Sequence, residues 1–136
     1  MSSNVYVAGL GMITSIGNNV AENLSALEKG HAGIGVISYL ETTHRNKIPL
    51  AEVKFSNEQL ASLSGFSPKI SRTALLSLIA AKEAMDNAAI KNFSSLRTGF
   101  ISANTVGGMD KSEKFFAEFL SDSQKGKLRN VVHHEC

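Results

Sequence analysis

Apolar residues along the chain fall into two patterns, which are short continuous runs and longer stretches with helical spacing. The runs Val5–Leu10 and Thr98–Asn104 are short and contain β-branched and aromatic residues, and they lead into Gly11 and Gly107-Gly108. Such runs predict buried strands. Both faces of each run are apolar, so each strand requires cover on both faces of its sheet.

Helical spacing begins after the first run. Asn18 or Asn19 is placed to cap a helix that starts near Val20, and Gly30 is placed to end it. A further helix is predicted from about Met109 to Leu120, after Gly107-Gly108.

A long alanine-rich helix is predicted between these two. Ser67-Pro68 marks its start, because serine caps helices and proline fits the first helical position. Its apolar stripe consists of Ile70, Ala74, Leu75, Leu78, Ile79, Ala81 and Met85. The many alanines make this helix slim, so that it can pack closely against a sheet or another helix.

The order of elements predicts an α/β domain with a largely parallel sheet. Residues 31–64 show no clear period and are interpreted as a long excursion with one short strand within Leu50–Phe55. Two buried strands are too few for a self-sufficient sheet. The chain is therefore interpreted as the front part of a larger fold.

Composition excludes several classes of function. The 136 residues carry a net charge of only +2, which gives no electrostatic footprint for nucleic-acid binding. Cys136 is the single cysteine, so no disulfide forms within the chain, and this fits a reducing cytoplasm. Met1-Ser2-Ser3-Asn4 leads into the first apolar run without a basic region, so a signal peptide is not expected, and no apolar stretch approaches the length of about 20 residues that a membrane helix needs.

The stretch Val5–Gly17 can be compared with the fingerprint of a dinucleotide-binding loop. That fingerprint requires G-x-G-x-x-G and, about twenty residues later, an acid for the ribose. Gly9 and Gly11 supply the first two glycines, but Thr14 stands at the third position and His31 twenty residues past Gly11. The alternative interpretation is a tight turn whose glycines permit close backbone packing.

Three separated blocks resemble the β-ketoacyl-[acyl carrier protein] synthases. "VYVAGLGMITSIGNNVAENLSALEKGHAGI" is similar to the family's opening strand, loop and helix. "ISRTALLSLIAAKEAMDNAAI" resembles its alanine-rich helix, and "RTGFISANTVGGMDKSEKFF" its next strand, glycine-rich loop and helix. The blocks have the family's order and similar spacing.

The resemblance implies a thiolase-like fold made of two similar layered α/β/α halves, each with a mixed sheet. It also implies a cytoplasmic homodimer, with acyl carrier protein as partner and without a cofactor or metal. The family chemistry transfers an acyl group to a cysteine. Two histidines then assist decarboxylation of malonyl-carrier, and the carbanion attacks the acyl-enzyme in a Claisen condensation.

The chain departs from the family in lacking its T-A-C-S-S-like nucleophile motif. Residues 1–136 are therefore expected to be an inactive N-terminal part of the synthase N-terminal domain that stops before the catalytic Cys-His-His residues. In elongating members, a branched apolar residue before the Gly-Gly pair lines the acyl pocket. Val106 matches that position and is the candidate substrate-binding residue.

Other residues invite functional interpretations. The terminal "HHEC" contains metal-ligand types, but adjacent residues seldom reach one metal. Phe115, Phe116 and Phe119 fit an acyl pocket, a dimer interface or ordinary core packing. Lys69 and Arg72 oppose the dipole of the alanine-rich helix unless a carboxylate or solvent compensates them.

Two alternatives remain open. One is a non-catalytic chain-length partner that forms a heterodimer with an active synthase. The other, from a different class, is a small Rossmann nucleotide-binding domain. The sequence does not identify the acyl substrate or the pathway.

Overall fold

The computed structural model describes residues 4–92, 94–105 and 107–125. Its elements are the helices α1 (Val20–Glu28), α2 (Asn57–Ser64), α3 (Arg72–Asn87) and α4 (Met109–Ser121), and the strands β1 (Ile34–Gly35) and β2 (Leu50–Ala51). The strands pair antiparallel, with Ile34 opposite Ala51.

The chain divides into two compact units. One contains the residues up to Ser56 together with Ile79–Arg97, and the other contains Asn57–Leu78 together with the residues from Thr98 onward. Among the described residues, the buried apolar side chains of the first unit are Ala26 and Ile37, and those of the second are Leu60, Ala61 and Leu75. The apolar core within each unit is therefore small.

Helix α1 confirms the predicted helix near Val20. The Asn19 side chain accepts a hydrogen bond from the Glu22 backbone N–H at 2.8 Å, which makes Asn19 the N-cap. Gly30 has φ +66°, and the His31 N–H donates to the Ala26 carbonyl at 2.8 Å. This left-handed glycine and its hydrogen bonds form the expected stop after the helix.

The start of α3 corrects the prediction at Ser67-Pro68. These residues form a turn instead, in which the Ile70 N–H donates to the Ser67 carbonyl at 3.3 Å. The helix begins at Arg72 because buried Ser71 supplies the cap, its hydroxyl accepting from the Ala74 N–H at 3.2 Å. The sequence contains two serines with capping chemistry, and the second is the one used.

The two predicted long strands are wrong. Residues 5–10 and 98–104 lie outside any strand, and Val5 and Ile101 are each 94% exposed. A strand requires a neighbour to satisfy its backbone, and within the described residues the only paired strands are β1 and β2. Both runs therefore keep their apolar side chains in solvent.

The excursion over residues 31–64 contains more structure than predicted. The predicted strand shrinks to β2, which gains β1 as a partner, and α2 was not predicted. Leu60 anchors α2, since its side chain is fully buried.

A buried carboxylate organises the loop between β1 and β2. Glu52 accepts hydrogen bonds from the backbone N–H groups of Ser38, Tyr39 and Leu40 at 2.7–3.1 Å. The guanidinium of Arg45 donates to the carbonyls of Ser38 and Leu40 at 3.3 and 3.2 Å. Charged side chains thus bond both N–H and carbonyl groups of this loop.

Candidate functional site

The glycines of the first block lie against the backbone of α3. A Cβ atom on Gly9 would meet the Ala84 carbonyl oxygen and would lie 2.9 Å from the Ala88 Cβ. A Cβ atom on Gly11 would meet the Ala80 carbonyl oxygen and would lie 2.7 Å from the Ala84 nitrogen. In the first block, only glycine permits this close approach to the helix. On the helix, the small alanine side chains leave room for it.

Polar side chains of α3 fix the same segment along its length. The Glu83 carboxylate accepts from the Met12 N–H and from the Val20 N–H, both at 2.8 Å. The Asn87 side-chain oxygen accepts from the Leu10 N–H at 3.3 Å. These side chains supply acceptors that a neighbouring strand supplies in a sheet.

The start of α1 is occupied by protein oxygens, which bears on the dinucleotide interpretation. A Rossmann loop presents the free N–H groups of a helix start to a pyrophosphate. Here the Val20 N–H is bonded to Glu83, the Glu22 N–H to Asn19, and the Asn18 N–H to the Glu22 carboxylate. Two carboxylates at this helix end repel a phosphate, so the geometry favours the packing role of the glycines.

A buried asparagine holds the loop between residues 9–12, which we call the glycine segment, and α1. Asn23 is 2% exposed, and its Nδ2 donates to the carbonyls of Gly17 and Asn19 at 2.9 and 2.8 Å. Its Oδ1 accepts from the Thr14 hydroxyl. Both polar atoms of the Asn23 side chain are thus bonded to the loop itself. Such a buried and satisfied amide is typical of a scaffold rather than of a ligand-binding loop.

The Gly-Gly turn precedes α4. Val106, the candidate pocket residue, lies outside the described residues. Gly108 is buried, has φ +76° and stands at the N-cap of α4. The Gly107 N–H donates to the Asn104 side chain, whose atoms fill the space that a Cβ atom on Gly107 would need. The turn thus requires glycine at position 108, where the backbone is left-handed, whereas a Cβ atom on Gly107 would displace the Asn104 side chain.

The aromatic residues of α4 are only partly packed. Phe115 and Phe119 stack with ring centroids 6.2 Å apart. Phe116 is 57% exposed and Leu120 69% exposed. Ordinary core packing within the described residues therefore does not account for this apolar face, and the pocket and interface interpretations stay predictions.

The remaining candidates are the terminal "HHEC" segment and the cation at the start of α3. The segment "HHEC" lies outside the described residues, and within the described ranges no group of His, Cys, Asp or Glu side chains is arranged to hold a metal. Arg72 donates to the Asn57 side-chain oxygen at 3.0 Å, so an amide is one partner of this cation.

Comparison with known families distinguishes the synthase interpretation from the nucleotide-binding one. Residues 2–132 match the family described as Beta-ketoacyl synthase, N-terminal domain. The chain belongs to this family. Membership of the β-ketoacyl synthases implies a thiolase-like fold and condensing acyltransferase chemistry in general, and it confirms the resemblance in the three sequence blocks.

Two further findings concern this synthase domain. No curated protein matches the chain significantly. No helix among the described residues of the synthase domain is long and apolar enough to cross a membrane.

Sequence reasoning missed the polar residues that hold this scaffold together. Glu83 and Asn87 lie one turn apart, and they share one face of α3 with Ala80 and Ala84, while Ala88 follows directly after the helix. This spacing was the available signal. A carboxylate and an amide interleaved with alanines indicate a face that receives a backbone, rather than an apolar stripe alone.

Proposed function

We propose that residues 1–136 form the front part of a 3-oxoacyl-[acyl carrier protein] synthase, which condenses an acyl thioester with malonyl-acyl carrier protein. The pathway is fatty acid or related polyketide-like biosynthesis. The family match over residues 2–132 carries the proposal. The glycine segment on α3 and the bonded start of α1 support it, because the Asn18, Val20 and Glu22 amides already have protein acceptors and are not available to a nucleotide.

The chain's own part in this chemistry is scaffold and pocket wall. The proposed reaction uses a cysteine nucleophile and two histidines, and residues 1–136 contain no T-A-C-S-S-like motif. Condensation by these residues alone is therefore not expected. The complete protein supplies the thiolate, which attacks the acyl thioester, and the oxyanion hole that stabilises the tetrahedral intermediate.

Val106 is the proposed contact with the acyl chain. Its position before Gly107-Gly108 matches the family residue that sets pocket depth. We expect Val106→Phe in the complete enzyme to shift the preferred acyl chain to shorter lengths, because the larger ring fills the pocket. Val106→Ile is the matched control with a smaller added volume. Unchanged chain-length preference in Val106→Phe removes Val106 from the pocket.

The proposed partners are acyl carrier proteins bearing acyl and malonyl groups, and a second synthase subunit. A homodimer is expected for an active synthase and a heterodimer for a chain-length partner. The proposed location is the cytoplasm, where acyl carrier protein is available. Neither nucleic acid nor a membrane takes part in the proposed reaction.

Treatment of the complete protein with cerulenin, a covalent inhibitor of this family, separates the synthase from the chain-length partner. The adduct is mapped by peptide mass spectrometry. An adduct on a cysteine outside residues 1–136 supports the synthase. Absence of an adduct from a folded protein without a cysteine motif favours the chain-length partner.

A further inference from the structure

One carboxylate joins two parts of the first unit that are separated along the chain by the loop of residues 13–19. Oε2 of Glu83 accepts from the Met12 N–H, and Oε1 accepts from the Val20 N–H, each at 2.8 Å. Met12 closes the glycine segment, and Val20 is the first residue of α1. Because both hydrogen bonds end on the same carboxylate, a movement of Glu83 that breaks one of them also changes the geometry of the other.

We propose that Glu83 is a single latch that makes residues 9–12 and the first turn of α1 open and close together. The proposal rests on these contacts and is independent of the enzymatic function. Opening of the glycine segment withdraws the Met12 amide from the carboxylate and lets Glu83 move, so that the Val20 amide loses its acceptor as well. The Glu83 side chain is half-buried, which limits how far water can replace it in the closed state.

The contacts around the latch show why it acts on both parts. Gly9 and Gly11 place the segment directly on the backbone of α3, so small shifts of the segment break van der Waals contact with the helix. On the other side, Asn19 caps α1 through the Glu22 N–H and leaves the Val20 N–H to Glu83. The carboxylate is thus the shared element between a packed segment and a capped helix.

Residue-resolved amide hydrogen exchange on the full chain tests the latch. Glu83→Gln keeps the size of the side chain and retains one acceptor oxygen, so independent hydrogen bonds predict faster exchange at only one of the two amides. The latch predicts that the Met12 and Val20 amides accelerate by the same factor, roughly tenfold to a hundredfold for charge-assisted bonds. The His31 amide, bonded to the Ala26 carbonyl at the far end of α1, is expected to stay unchanged.

Asp86→Asn is the matched control, because it removes the same charge from an exposed position of α3. It is expected to leave both amides unchanged. Acceleration of only one amide, or of neither, in Glu83→Gln overturns the proposal. If Glu83→Gln unfolds the chain, Glu83→Asp makes the same comparison with a shorter carboxylate, and unequal acceleration of the two amides then overturns the latch.

Discussion

Replacement of Gly11 by alanine tests how closely the first block packs on α3. The new Cβ atom would meet the Ala80 carbonyl oxygen, and it would lie 2.7 Å from the Ala84 nitrogen and 2.8 Å from the Ala80 carbonyl carbon. All these atoms belong to helix backbone, which cannot turn aside as a flexible side chain can. The glycine segment must therefore move away from α3.

The magnitude follows from two contributions. Overpacking of a close contact costs about 1–3 kcal/mol. Movement of the segment also breaks the hydrogen bond from the Met12 N–H to Glu83, which contributes about 1 kcal/mol in this partly exposed position. Gly11→Ala is thus expected to lower the free energy of unfolding by about 2–4 kcal/mol.

Urea unfolding followed by circular dichroism measures this loss. Gly35→Ala in β1 is the matched control, since a Cβ atom there meets nothing within 4 Å. Its free energy of unfolding is expected to stay within about 1 kcal/mol of the original chain. If Gly11→Ala is as stable as Gly35→Ala, the segment does not pack on α3 in the way described here.

Three further predictions concern stability and association. Asn23→Ala removes the side chain that holds the loop before α1, and urea unfolding should show a loss of about 2–3 kcal/mol; an unchanged midpoint would contradict the described network. Glu52→Gln weakens the charge-assisted bonds to the loop between β1 and β2, so proteolysis of that loop should be faster than in the exposed control Glu41→Gln. Equal cleavage rates in the two variants would count against the role of Glu52. The chain on its own should self-associate through exposed apolar residues, and replacement of Val5 and Val7 by lysine should reduce this association in light scattering; a stable monomer at high concentration would refute it.

Local signals in the sequence predicted the helices better than the strands. The cap at Asn19, the glycine stop at Gly30 and the bounds of α4 depend on residues next to each other in the chain. The runs at Val5–Leu10 and Thr98–Asn104 depend on a partner strand, and the described residues supply none. Apolar character alone therefore indicated strands that this chain does not form.

The candidate site was predictable in part, from residue spacing and from the family resemblance. Residue spacing argued against a dinucleotide loop and gave the glycines a packing role, which the contacts with α3 support. Spacing did not predict that Glu83 receives two backbone amides, because both donors lie far from Glu83 along the chain. Val106 stays a prediction that depends on its match to the family motif.

Decarboxylative condensation by the complete protein is the most direct test of the proposed function. Purified protein is incubated with acyl- and malonyl-acyl carrier protein, and products are followed by mass spectrometry beside an active synthase as control. The account predicts release of carbon dioxide and a 3-oxoacyl thioester two carbons longer than the starting acyl group. A folded protein that forms no such product while the control enzyme does would contradict it.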